Sequence, residues 1–116
     1  MPDYIFIAVL LAFMGWMYLS SKPSADLSSM DLSKATIIDV RSPSEFQAGH
    51  IKGATNIPVD EFAQRIQEIE TLAGGKDNLV VLYCRSGARS GRAYHMAKNA
   101  NFSNVVNAGA MSNIRL

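Results

Sequence analysis

The stretch Leu79-Val80-Val81-Leu82-Tyr83-Cys84-Arg85-Ser86-Gly87-Ala88-Arg89-Ser90 decides how this chain is read. Its first five residues form an unbroken apolar run, as expected of a strand buried on both faces. Its last residues lead into residues 89–99, which read as a helix with Ala93, Met96, Ala97 and Ala100 turned inward. A strand therefore delivers Cys84 to a tight loop, and the loop feeds a helix N-terminus. The first N–H groups of a helix have no intrahelical partners, and the helix dipole places partial positive charge there. A sulfur held at that point is stabilised as thiolate. A free thiol titrates near pH ~8.5, and a helix N-terminus with neighbouring arginines lowers that by about one to several units. The loop reads as a nucleophile set in an anion-binding cradle.

Cys84 is the only cysteine among the 116 residues. Taken alone, a cysteine closing an apolar strand is more often a small buried hydrophobe. The loop argues for more than that. Gly87 can take the positive φ that a tight turn requires. Arg85, Arg89 and Arg92 place three positive charges after Cys84 with no acid among them. A cysteine that only fills space needs neither.

Working outward, residues 36–40 are rich in β-branched side chains and read as a buried strand. Ser42-Pro43 opens a short helical turn through Ala48, with Pro43 near the first helical position and Gly49 as its stop. Residues 54–57 form a second short strand, ended by Pro58. Val59, Phe62, Ile66, Ile69 and Leu72 step by 3, 4, 3 and 3, which predicts one amphipathic helix closed by Gly74-Gly75. Residues 104–106 read as a last short strand, and Asn101 before it suits the left-handed conformation. Strands alternating with helices predict an α/β fold, a parallel sheet with helices on both faces. Ligands of such sheets bind beyond the carboxyl ends of the strands, where Cys84 lies.

On these residues the chain resembles the rhodanese-like sulfurtransferases. Cys84-Arg-Ser-Gly-Ala-Arg89 is similar to their active loop, a cysteine and four residues followed by a residue of the next helix. Ile37-Ile38-Asp39-Val40-Arg41 resembles the family's first strand with its Asp-x-Arg ending. The segment from Ser44 through Glu45-Phe46-Gln47-Ala48-Gly49-His50-Ile51-Lys52-Gly53-Ala54, with Asn56-Ile57-Pro58 after it, is similar to two further family blocks. The likeness covers about residues 29–113. It departs near the end: Ala110 replaces one glycine of a usual pair, and Ile114 stands where tryptophan is common.

The resemblance implies a rhodanese-like parallel sheet flanked by helices over residues 29–116. It implies sulfur transfer from thiosulfate or a similar small donor anion to a thiol or cyanide, through a persulfide on Cys84. Arg85, Ser86, Gly87, Ala88, Arg89 and Ser90 then form the substrate cradle. Arg85 is the first candidate for direct contact, and Arg89 either shares that role or is tied to Asp39 or Glu45. Asp39 and Arg41 are supporting residues: Asp39 orients a loop arginine, or the two form a structural ion pair, which is the commoner use of such pairs. His50 reads as a hydrogen-bonded structural histidine and His95 as a surface or packed one. Neither histidine has metal-ligand spacing to a partner, so no metal site is expected, and the chemistry calls for no organic cofactor.

Two other functions stay open at this point. One is a persulfide carrier or protein-binding module at a membrane, with little turnover. The other is a phosphatase or arsenate reductase, which uses Cys-x5-Arg. Cys84-x4-Arg89 is one residue shorter, and a shorter backbone favours a single sulfur over a tetrahedral oxyanion.

Eleven basic and ten acidic residues give no support to a nucleic-acid partner. The N-terminus is of a different class. Residues 4–19 carry no charge, and residues 1–21 as a helix would span about 31 Å, enough for the ~30 Å hydrocarbon core. A cleaved signal peptide would want a basic n-region and a small-x-small site, and neither is present. The expectation is one transmembrane anchor over residues 1–21 and a polar linker over residues 22–28. Lys22 and Lys34 after the span place the catalytic domain in the cytoplasm. A lone free thiol suits that reducing compartment.

Overall fold

The computed structural model describes Leu27 and residues 30–116. Strands β1 (Thr36–Asp39), β2 (Thr55–Asn56), β3 (Val80–Cys84) and β4 (Val105–Ala110) form one parallel sheet in the order β2-β1-β3-β4. The helices are α1 (Pro43–Ala48), α2 (Val59–Phe62), α3 (Ile66–Ala73) and α4 (Ala88–Asn99). The expected parallel α/β sheet flanked by helices is present, but among the described residues the α-helices that pack on its core lie on one face rather than on both. The expected transmembrane anchor at residues 1–21 lies outside the described residues. Among the described residues, no helix is long and apolar enough to cross a membrane.

Alternation along the strands sorts the core into two layers. Ile38, Val80, Leu82, Cys84 and Val105 face one side, where Phe62, Ile69, Ala93, Ala97 and Phe102 complete a cluster. Ile37, Val81, Tyr83 and Ala108 face the other, closed by Leu32 and Ile114. The first layer is roofed by α2, α3 and α4. The second is covered by loops and the 3-10 turns Leu32–Lys34 and Met111–Asn113. Ile114, the residue that departs from the family's tryptophan, is thus a core residue of this second layer.

The single helix expected from Val59 to Leu72 is broken. It runs as α2, then the 3-10 turn Ala63–Arg65, then α3. The cause lies in the spacing. Steps of 3, 4, 3 and 3 are tighter than 3.6, so an unbroken α-helix would carry the stripe off the sheet. A 3-10 turn stacks positions three apart and restores the alignment. Phe62 and Ile69 stay buried on either side of it, and Leu72 is 44 % exposed. Gly74 ends α3 at φ 78, its N–H bonded to the Thr71 carbonyl.

Other boundaries move by a residue or more. β3 includes Cys84, α4 starts at Ala88, and β4 continues to Ala110 rather than stopping at residue 106. β4 is lengthened by a bulge: Leu82 pairs with Asn107, Tyr83 with Gly109, and Ala108 is the extra residue. Bulges turn a strand locally. This one sets Ala110 opposite Cys84. Asn101 takes φ 72, as its position before the last strand suggested.

Candidate active site

Cys84 ends β3, is 0 % exposed, and packs in the first core layer. It is therefore buried as a small hydrophobe would be, yet its sulfur is also bonded. Gly87, at φ 99, turns the chain into α4 and points its N–H at Cys84 Sγ, 2.9 Å away. Only glycine holds that left-handed turn without strain. Ser90, in the first turn of α4 and fully buried, places Oγ 3.4 Å from Sγ and donates to the Gly87 carbonyl at 3.2 Å. Burial pushes the thiol up, but bonds from the Ser90 hydroxyl and the N–H groups of Ser90, Gly87 and Ser86 outweigh it. The Cys84 pKa lies below its ordinary value. The expected direction holds, and its leading cause is hydrogen bonding rather than the arginines.

The loop arginines divide. Arg89 does not extend freely over the cradle. Its two terminal nitrogens grip Glu45 at 2.6 and 3.0 Å. Glu45 is also the far half of a capping box on α1: it accepts from the Ser42 N–H at 3.2 Å, while Ser42 Oγ accepts from the Glu45 N–H. The fork ties α1 to the first turn of α4. Arg89 remains electrostatically coupled to the Cys84 sulfur. Arg85, Ser86 and Ala88 are exposed around the turn, and Arg85 makes no ion pair among the described residues.

Asp39 does not orient a loop arginine. It is 0 % exposed and takes both Nε (3.0 Å) and Nη2 (2.6 Å) of Arg41, itself 7 % exposed. Arg41 Nη2 donates onward to the Gly49 carbonyl at 2.7 Å. The structural reading of this pair holds, with the difference that the pair is buried. Asn56 Nδ2 donates to the carbonyls of Asp39 and Arg41, and the Tyr83 hydroxyl accepts from the Ile51 N–H. Together these fix the sheet edge from which Cys84 emerges. His50 is exposed, stacked on Phe46 at 3.7 Å and bonded through Nδ1 to the Phe46 carbonyl. His95 is exposed beside Tyr94.

A buried cysteine at a strand end, ringed by turn N–H groups and followed at once by a helix, matches a known arrangement. The chain matches the Rhodanese-like domain family over residues 25–113. It belongs to the rhodanese-like family. Among relatives, the thiosulfate sulfurtransferase PspE of Escherichia coli is 37% identical over 79 residues, which are 68% of this chain and 73% of PspE. YqhL of Bacillus subtilis is 45% identical over 74 residues, 64% of this chain and 55% of YqhL. A tRNA uridine(34) hydroxylase of Enterobacter is 31% identical over 84 residues, 71% of this chain but 24% of that protein. Of solved structures, a rhodanese with anions from E. coli superposes with TM-score 0.64 at 35% identity, covering 71% of this chain and 93% of that one. The human single-domain sulfurtransferase TSTD1 gives 0.60 at 31% identity, with 70% and 80% covered.

Two roles escaped the sequence. Glu45 appeared only as one of two possible ties for Arg89. The sequence places Ser90 with the substrate cradle, whereas its hydroxyl lies within reach of the nucleophile itself. The spacing held a signal for Ser90: a residue in the first turn after a glycine cap sits beside whatever the glycine faces.

The Glu45–Arg89 fork has a pH signature. Arg89 first, then the Ser42 N–H, pulls the Glu45 carboxyl down from 4.5 to about 2. A carboxyl depressed on folding adds stability above its ordinary value, and the gain is lost as pH falls toward the depressed one. Wild type should therefore lose stability between pH 4.5 and about 2, and Glu45→Gln should lose less over that range. Urea melts at a series of pH values check this; identical acid limbs for the two proteins would refute it.

Proposed function

We propose that this rhodanese-like domain is a sulfurtransferase working through a Cys84 persulfide, with thiosulfate or a similar anion as donor and a thiol or cyanide as acceptor. The observation that carries the reading is the Cys84 sulfur itself, held below its ordinary pKa by hydrogen bonds at the mouth of a helix. Relatives named as sulfurtransferases support it.

In the first half-reaction the Cys84 thiolate attacks the outer sulfur of the donor. A new S–S bond forms, the donor's own S–S bond breaks, and its electron pair leaves with sulfite. In the second, the acceptor attacks the outer sulfur of the persulfide, and the electron pair of that bond returns to Cys84 as thiolate. This is covalent catalysis with two separable steps. The inward N–H groups stabilise the negative sulfur in both, and a preformed thiolate needs no separate base. Arg85, which makes no ion pair among the described residues, would neutralise an approaching donor at the rim, while Arg89 shapes the turn through Glu45. The Cys84-x4-Arg89 spacing favours this chemistry over phosphoryl or arsenate chemistry, because the shorter turn closes on one atom.

The anchor belongs to the same proposal. The uncharged run at residues 4–19 and Lys22 after it support a membrane tether with the domain in the cytoplasm. One experiment tests both parts. The full chain is recovered from membrane and soluble fractions, incubated with thiosulfate, and weighed by mass spectrometry. The expected product is an intact membrane-bound chain heavier by one sulfur on Cys84. A soluble product lacking its first twenty or so residues would overturn the tether. No sulfur gain on folded protein would overturn the sulfurtransferase.

A further inference from the structure

We propose that the Ser90 hydroxyl is a two-position proton donor that follows the charge on Cys84, turning toward the sulfur when it is a thiolate and toward the Gly87 carbonyl when it is not. A serine hydroxyl has one proton to give and two lone pairs. Ser90 Oγ has two partners in reach: Cys84 Sγ at 3.4 Å and the Gly87 carbonyl oxygen at 3.2 Å. It cannot donate to both at once.

The protonation state of the sulfur decides between them. A Cys84 thiol gives its S–H to Ser90 Oγ, and Ser90 gives its own proton to Gly87. A thiolate has no proton to give and is a charged acceptor, so the hydroxyl turns to it. The turn leaves nothing stranded. The Gly87 carbonyl also accepts from the Gly91 N–H at 2.8 Å and keeps that bond in either state. The Gly87 N–H stays on the sulfur at 2.9 Å throughout. The change is a rotation about one C–O bond, with no backbone movement, between two side chains that are both buried.

Resting on the sulfurtransferase reading, the same rotation bears on the second half-reaction. In the persulfide the charge sits on the outer sulfur, and Ser90 returns its proton to Gly87. When an acceptor takes the outer sulfur, the S–S electron pair falls back on Cys84, and Ser90 turns to receive it. A leaving thiolate of lower pKa departs faster. Ser90 thus aids the ionisation that starts the cycle and the departure that ends it.

Other charged or titratable groups surround Cys84. Arg85 follows it in the loop. Arg89 and Glu45 are paired with each other across α4 and α1. Asp39, Arg41 and Tyr83 sit at the ends of β1 and β3. A substitution at Ser90 alters none of these charges, so a change in the titration of Cys84 is referable to the lost hydroxyl.

The test is the pH dependence of Cys84 alkylation by iodoacetamide in wild type, Ser90→Ala, Ser90→Gly and Ser90→Thr, each checked for folding by thermal melting. Loss of one hydrogen bond to a charged atom should raise the midpoint by about one to two pH units in the alanine and glycine variants. Threonine, which keeps the hydroxyl, should restore it. Midpoints in folded alanine or glycine variants equal to wild type would overturn the proposal, as would a threonine midpoint raised as far as alanine's. Alkylation needs no sulfur donor, so it reads Ser90 whatever the reaction proves to be. Acceptor-dependent release of sulfur from preformed persulfide, slowed about tenfold or more without the hydroxyl, reads the second role. An unchanged release rate would overturn that role.

Discussion

Replacing Cys84 by alanine is expected to reduce thiosulfate-to-cyanide transfer to the uncatalysed background, a loss on the order of a thousandfold or more. The chain has no other thiol to take over. In the proposed mechanism both half-reactions pass through this one sulfur, so the remaining N–H groups would have nothing to stabilise. The fold should survive. Cys84 packs beside Leu82, Val80 and Ala93 in the first core layer, and shrinking it to alanine leaves a small gap costing about 1 kcal/mol. The Ser90 hydroxyl retains the Gly87 carbonyl as a partner. The measurement is steady-state transfer with a thermal melt of the same sample. Transfer persisting at a wild-type rate in folded Cys84→Ala would remove the thiol from the mechanism.

Asp39→Ala should be the most destabilising change at the sheet edge. Arg41 would keep the Gly49 carbonyl and lose the one counter-ion it has among the described residues while staying enclosed. Breaking a buried pair from one side costs about 3–5 kcal/mol, because a charge is left without compensation. That is a large share of the roughly 5–15 kcal/mol that holds a small domain together. Removing both charges, as in Asp39→Ala with Arg41→Met, should be milder than Asp39→Ala alone, since no ion is then stranded. Urea denaturation of the three proteins decides it. A single-variant loss below about 1 kcal/mol would put this pair among the weak surface bridges instead.

The two results separate different kinds of importance. On these expectations Cys84 carries the chemistry and contributes little to stability. Asp39 and Arg41 carry stability and, through Gly49 and Asn56, the shape of the edge from which Cys84 emerges. Glu45 stands between them. It closes the cap of α1 and holds Arg89 against α4, so it positions the turn without touching the sulfur.

Most of the architecture was legible because its signals are local. Apolar runs marked β1 and β3, Ser42-Pro43 marked the start of α1, and Gly74 marked the end of α3. Asn101 marked a left-handed turn. Each of these depends on the backbone preferences of a few neighbouring residues. The unbroken helix expected from Val59 to Leu72 failed for the opposite reason. Its apolar stripe has to follow a twisted sheet, and only the sheet's position dictates the 3-10 turn at Ala63–Arg65. The bulge at Ala108 is of the same kind, since it exists only relative to β3.

By itself the sequence determined that this is a parallel α/β domain with a cysteine at a strand end, a glycine turn behind it and a helix N-terminus beneath it. Strand, turn and helix are contiguous there, so the cradle follows from some twelve consecutive residues. Only the tertiary structure decided which charges serve that cradle. Asp39 and Arg41 turned to each other, and Arg89 turned to Glu45, forty-four positions away. A guanidinium pairs with whichever carboxylate the packed fold brings within about 3 Å, and sequence spacing does not encode that distance.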